Sequence, residues 1–235
     1  MDAAVSECAS YLVEKLKSTP TSTRLLVGIS GIPASGKSTF AEAVVDKTNH
    51  LLQTEGVSDP AILVGLDGWH LTRAQLDAFP SPHLAHARRG AHWTFDGPAY
   101  VAFVHALRRP LSSDQVITAP SFDHALKDPA PHAVSIHVHH RIVVIEGLYT
   151  FLAIEPWARG GEQLDERWLL DLDEEEARTR LVKRHVKTGV CKDLEEAEHR
   201  AEENDMPNGR FILENILQTT KQIPSIEDPA LTQSL

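Results

Sequence analysis

The sequence predicts an α/β fold built on a mainly parallel sheet with helices on both faces. Two observations carry that expectation. Short apolar runs alternate with helix-patterned stretches along most of the 235 residues, and the first run opens into a glycine-rich loop that leads straight into a helix. In such sheets ligands bind beyond the carboxyl ends of the strands, so the loop also marks where a site should lie.

In residues 5–17, Val5, Cys8, Ala9, Leu12, Val13 and Leu16 form a helical stripe, which Pro20 and its Ser/Thr neighbours end. Residues 25–30 read as a buried strand, and 39–53, free of Gly and Pro, as a helix. A second strand over 61–66 runs up to Asp67-Gly68. Residues 80–98, with Pro80, Pro82 and Pro98, read as loop or short irregular helix up to Arg88, and 99–109 as helix. Strands are expected at 115–119, 141–145 and 168–172, and alternation over 134–139 reads as a two-sided strand. A charged helix over 174–187 ends at Gly189; helices at 194–204 and 211–220 and a strand at 221–226 complete the chain. Its length suits one domain over 1–235.

Composition narrows the functional classes. The formal charge is −10, with acids clustered between Glu162 and Glu203, which argues against a general nucleic-acid binder. An anionic ligand must be met by a local positive site. Cys8 and Cys191 show neither metal-ligand spacing nor a disulfide framework. No apolar run reaches transmembrane length, so no membrane partner is expected. The first residues carry Asp2, Glu7 and Glu14 and lack the Arg-rich pattern of a transit peptide, so the expected location is cytoplasmic. Both a monomer and a homodimer remain open.

Gly31-Ile32-Pro33-Ala34-Ser35-Gly36-Lys37-Ser38, followed by Thr39, matches the phosphate-loop pattern G-x-x-x-x-G-K-[ST]. Glycines let the backbone turn its N–H groups inward around phosphate oxygens. The next helix adds its amino-terminal N–H groups and the positive end of its dipole. Lys37 would reach the β- and γ-phosphates of ATP, and the Ser38 hydroxyl would ligate Mg²⁺. The expected fold is therefore that of a P-loop NTPase. Glu146, after the apolar run 143–145, stands where such proteins place an acid near Mg²⁺.

Gly28-Ile29-Ser30-Gly31 leading into Ser35-Gly36-Lys37-Ser38-Thr39 resembles the opening of the phosphoribulokinase/uridine kinase family of small-molecule kinases. Five further segments keep the resemblance in order across about residues 25–226. They are Leu66-Asp67-Gly68-Trp69-His70, Arg88-Arg89-Gly90 with Thr94-Phe95-Asp96, Ala119-Pro120-Ser121-Phe122-Asp123-His124, Val144-Ile145-Glu146-Gly147, and Arg180-Leu181 with Arg184. The resemblance implies an ATP-dependent phosphotransferase with an alcohol group as acceptor. Asp67 would take the proton of the acceptor hydroxyl. It also implies a small helical lid, about 174–205, whose Arg180 and Arg184 close over ATP; four residues apart, they share one helix face. His124 resembles the substrate-side histidine of bacterial pantothenate kinase, and Arg89 and Asp96 are further candidates for the acceptor pocket.

The acceptor itself stays open. Where uridine kinases carry an acid-rich Phe-Asp-His-Pro-Asp stretch, this chain has Arg89-Gly90-Ala91-His92-Trp93, which removes the acid expected to hold a ribose. Lys127 stands where pantothenate kinase has a tyrosine before its aspartate, here Asp128. A pantothenate-, nucleoside-, sugar- or glycerate-like acceptor remains compatible with the same machinery. A P-loop ATPase or regulatory nucleotide binder without an acceptor is the competing class. His137, His139 and His140 have no acid or cysteine at ligand spacing, so a two-sided strand accounts for them better than a metal site.

Overall fold

The computed structural model describes residues 2–57, 60–112, 116–123 and 125–225. His124 and the outer ends of two expected strands, Gln115 and Ile226, lie outside the described residues. The central sheet holds β1 (Leu25–Gly31), β2 (Ala61–Gly65), β5 (Ile142–Glu146), β6 (Glu166–Asp171) and β7 (Lys221–Pro224). Its order is β2-β5-β1-β6-β7, and every pairing is parallel. All five strands therefore end on the same rim.

Alternation along the strands divides the apolar residues between two cores. Leu25, Val27, Ile29, Ile142, Val144, Trp168 and Leu170 face α1 (Asp2–Ser18) and α2 (Lys37–Thr54), where Val5, Cys8, Leu12, Phe40, Ala41 and Val44 are buried. Leu26, Val143, Ile145 and Val64 face the opposite way, toward α5 (Gly97–Leu107) and α6 (Trp157–Gly161). Burying a side chain such as Val144 or Leu26 stabilises by roughly 1.5–3 kcal/mol, so two such layers hold the sheet rigid behind its rim. Gly28 belongs to the second face. A Cβ there would come 2.5 Å from Leu164 and 3.1 Å from Phe151, so its lack of a side chain lets Phe151 close on the strand.

Several expectations change in the structure. The strand read at 115–119 is β3 (Ile117–Asp123), which pairs antiparallel with β4 (Asp128–Ile136) in a separate hairpin. It is not a member of the parallel sheet, because its partner follows directly in the chain. β4 ends at Ile136, so His137–His140 form a turn rather than a two-sided strand; the stacked rings of His137 and His139 lie 5.6 Å apart. A short helix not anticipated, α3 (Arg73–Asp77), precedes the proline-bearing stretch, which holds the short helix α4 (Pro82–Ala87) with Pro82 at its first position.

The charged region forms α7 (Glu174–Lys187), α8 (Leu194–Arg200), a π-helical turn over Ala201–Asp205 and α9 (Met206–Glu214). The helix expected over 211–220 thus starts earlier and stops at Glu214, and residues 215–220 run on without helix to β7. Among the described residues no helix is long and apolar enough to cross a membrane.

Candidate active site at the carboxyl ends of the strands

The fully buried strand β1 delivers the glycine-rich loop to the rim. A Cβ on Gly31 would meet the Ser35 Oγ at 2.6 Å and the Leu170 carbonyl at 2.9 Å, so only glycine allows the loop to turn back over β6. Ala34 and Gly36 both take positive φ, 64° and 79°, in the left-handed region that points successive N–H groups inward. Helix α2 then starts at Lys37 with no side-chain cap at Gly36. Its first N–H groups are consequently left for another acceptor.

Charge converges around that uncapped start. Burial pulls the Lys37 ammonium below lysine's ordinary value, while Glu146 and Asp67 pull it back up and Arg184 adds to the depression. No described residue accepts a hydrogen bond from it. Glu146, at the end of β5, is pushed above its ordinary value by burial, an effect that nearby Lys37 opposes. The Ser38 hydroxyl donates to Glu146 Oε2 at 3.1 Å. These two oxygens, from α2 and β5, form a set that suits a hard cation such as Mg²⁺. A cation placed there would also relieve the cost of a buried carboxylate.

Asp67 does not end β2. It lies on the 3₁₀ turn Leu66–Trp69 that follows, and its side chain is exposed. Two close approaches fix that turn. A Cβ on Gly68 would come 2.4 Å from the Pro120 carbonyl of the hairpin, and one on Gly147 would come 2.3 Å from Leu66. His70 Nδ1 reaches the Asp67 carbonyl at 2.8 Å and braces the turn from behind.

The arginines of α7 fare differently. Arg180 Nε donates to Glu176 at 2.8 Å, and its Nη1 to Ser225 Oγ at 3.2 Å. Ser225 Oγ donates in turn to the Ser35 carbonyl at 2.7 Å, so Arg180 ties α7 to the phosphate loop through the residue after β7. Arg184 is exposed, yet surrounding protein lowers its guanidinium from the ordinary value while Asp205 and Asp67 oppose that shift. Helix α9 crosses the loop closely: a Cβ on Gly209 would lie 3.3 Å from both Ile32 and Pro33.

The other expected residues have visible structural partners. Arg89 donates to the carbonyls of Lys127 (2.5 Å) and Leu71 (2.9 Å) and to Asp128 Oδ1 (2.8 Å), which clamps the hairpin to the turn before α3. Asp96 caps α5 by accepting from the Ala99 N–H at 3.0 Å. Sequence reasoning missed Tyr149, Asp205, Asn204 and Ser225. Tyr149 donates to the Gly90 carbonyl at 2.7 Å, and burial pushes its phenol well above tyrosine's ordinary value; Arg88 opposes this, and Asp67 and Asp205 add to it. Asp205 binds the buried His185 at 2.8 Å within the π-helical turn, a distortion often found at functional sites. Tyr149 lies two residues past the quoted Glu146-Gly147 pair, a signal within reach. No pattern in the sequence marks the π turn.

Comparison with known proteins completes the picture. No family model matches the chain. It is 45% identical over 160 residues to ATP-dependent kinase-like protein notR' of Aspergillus versicolor, covering 68% of this chain and 93% of that protein. It is 34% identical over 194 residues to a protein of Schizosaccharomyces pombe named as a candidate uridine kinase, C227.14, covering 83% and 80%. Among solved structures, a candidate fructose transport system kinase from Silicibacter sp. TM1040 superposes with TM-score 0.79 at 28% identity, covering 94% and 98%. With a phosphate loop at the head of a parallel sheet and relatives of this kind, the chain belongs to the phosphoribulokinase/uridine kinase-like family of P-loop kinases.

Proposed function

We propose that the protein transfers the γ-phosphoryl group of ATP to a hydroxyl of a small-molecule acceptor. One observation supports the reading: Asp67 stands exposed on the turn after β2 and acts electrostatically on Lys37 together with Glu146 and Arg184. An acid there can position an acceptor alcohol and take its proton. The names of the relatives support ATP as donor.

The loop 31–39, through its free N–H groups, and Lys37 hold the donor's phosphates. Ser38 and Glu146 would hold Mg²⁺, which would draw charge from the phosphate oxygens. Asp67 positions the acceptor hydroxyl and accepts its proton. The acceptor oxygen bonds to the γ-phosphorus, the bond from that phosphorus to the bridging oxygen breaks, and ADP leaves. Arg184, with Arg180 behind it, offsets negative charge on the group in transit. His124, Arg89 and Asp96 belong to the acceptor side, Arg89 and Asp96 by shaping its walls. Helices α7 and α8 act as a lid.

Recovering the label of γ-labelled ATP tests the reading. A kinase places it in an organic phosphate ester when a metabolite extract is supplied, at a rate well above hydrolysis. Label recovered only as inorganic phosphate, at a rate that no metabolite changes, contradicts the proposal and favours an ATPase.

A further inference from the structure

Arg88 follows α4, and its backbone is fixed on both sides. Its N–H donates to the Leu84 carbonyl and its own carbonyl accepts from Ala91, each at 2.9 Å. Its side chain, in contrast, has no hydrogen bond or ion pair among the described residues. The Nε is buried and unpartnered. Neighbouring Arg89 also has a buried, unpartnered Nε, but its two Nη groups are spent on the hairpin and Asp128, so Arg88 is the member of this pair without an ion pair among the described residues.

The position of that charge matters. The Arg88–Gly90 segment is held beside the turn that carries Asp67, since Arg89 reaches the Leu71 carbonyl at 2.9 Å, and Arg88, Asp67 and Asp205 all act electrostatically on the Tyr149 hydroxyl. Tyr149 ties the Arg88–Gly90 segment to the end of β5 through its bond to the Gly90 carbonyl. Asn204 Nδ2 donates to the Arg89 carbonyl at 3.2 Å, while its Oδ1 is buried and unpartnered beside the same segment. A guanidinium Nε withdrawn from water without a partner is costly unless something else supplies an acceptor. An oxyanion supplies one, and a charged acceptor binds a guanidinium more strongly than a neutral one.

We propose that the acceptor is an anionic alcohol whose carboxylate or phosphate binds the Arg88 guanidinium while its hydroxyl stands at Asp67. This deepens the kinase reading above and rests on it. Arg88 becomes the residue that selects charged acceptors over neutral sugars and nucleosides.

The test requires no prior identification of the acceptor. A microbial metabolite extract is split on an anion-exchange resin at pH 8, and each fraction is incubated with the enzyme, Mg²⁺ and γ-labelled ATP. Labelled ester is expected from the retained fraction and none from the flow-through. Treating the retained fraction with alkaline phosphatase, then removing it, separates the two sources: acceptor activity that survives is a carboxylate, and activity that is lost is a phosphate monoester. Arg88→Gln should raise the acceptor KM about 10- to 100-fold, the loss of a charged hydrogen bond. The KM for ATP and the melting temperature should stay near wild type, and Arg88→Lys should restore part of the loss. Ester from the flow-through alone leaves a kinase and overturns the role of Arg88, as does an unchanged acceptor KM in Arg88→Gln. A parallel loss of ATP affinity and melting temperature overturns it too, by making Arg88 structural. Ester from neither fraction contradicts the kinase reading and this proposal together.

Discussion

Charged side chains gather at both ends of the central sheet, and their partners differ. At the amino ends, Arg141 binds the carbonyls of Thr23 and Pro20, each at 2.9 Å, and Arg108 binds the Gln163 carbonyl at 2.6 Å and Asp165 at 2.9 Å. Glu166, almost wholly buried, accepts from Tyr11 at 2.6 Å and from Trp168 at 3.1 Å, and also binds Lys15 and Thr220. Only Arg24, with one unpartnered Nη2, departs from this pattern among the groups named at that end. At the carboxyl ends, among the described residues, Lys37 makes no hydrogen bond, Ser35 Oγ and Arg88 Nε are buried without partners, and the Glu146 carboxylate accepts from Ser38. The same residue types are paired into structure at one end and leave polar atoms free to meet a ligand at the other. Buried polar groups are nearly always paired, so a cluster of unpaired ones beside the phosphate loop suits a rim that binds polar ligands.

That contrast can be broken at either end. The largest effect is expected from Lys37→Ala, which should lower turnover by about 10²-fold or more and remove most Mg-ATP affinity in calorimetry. Its melting temperature should hardly move, because Lys37 belongs to the site rather than the core. Unchanged affinity together with unchanged turnover would make the loop an ordinary turn. At the other end the pattern should invert. Glu166→Ala strands Lys15, which is partly exposed, so the cost falls below that of a fully buried pair, at about 2 kcal/mol. Thermal denaturation should show a drop of roughly 4–8 °C, with turnover at 25 °C near wild type. A Glu166→Ala enzyme that melts normally but has lost turnover would erase the distinction.

Two smaller effects sharpen it. Binding a non-hydrolysable ATP analogue should slow amide exchange over residues 178–190, because closing α7 excludes water from the rim. Equal exchange in both states would mean that Arg180, through Ser225, already holds the helix closed. Glu146 supplies the pH dependence. Burial raises its pKa, so as pH falls it protonates before an ordinary glutamate, and kcat/KM for Mg-ATP should decline on the acid side above pH 4.5. For stability the sign is opposite. A raised carboxyl pKa contributes stability below the unfolded value and loses it as pH rises through the folded one. Glu146→Gln should therefore melt a degree or more higher than wild type at pH 8 without ligand, while losing Mg²⁺-dependent turnover. A variant that melts lower would show the carboxylate to be structural.

Much of this architecture is written in local pattern. A helical stripe in 5–17, the absence of Gly and Pro from 39–53 and the apolar runs at 25–30 and 141–145 mark helices and buried strands, the last because burial on both faces leaves a continuous apolar signature. The phosphate loop is equally legible, since its glycines and lysine act within eight consecutive residues. The hairpin was harder. Thr118, Ser121 and Asp128–Ala133 show no continuous apolar run, and their pairing is with each other rather than with the sheet. Least legible are the contacts that complete the rim. Arg180 to Ser225 and Asn204 to Arg89 join segments 45 and 115 residues apart, and only the folded chain brings them together.

The most direct measurement on the rim compares Asp67→Asn with wild type in two assays on the same protein: phosphoryl transfer to the acceptor found in the extract, and Mg-ATP affinity by calorimetry. Asparagine keeps the shape of the side chain but cannot take the proton. If Asp67 is the acceptor-side base, transfer should fall by about 10²- to 10⁴-fold while ATP affinity changes little, the split expected of an interaction made in the transition state. Loss of ATP affinity alongside turnover would place Asp67 with Ser38 and Glu146 around the metal. Full transfer activity in the mutant would contradict the account, leaving Asp67 a turn residue and the carboxyl rim without an acceptor side.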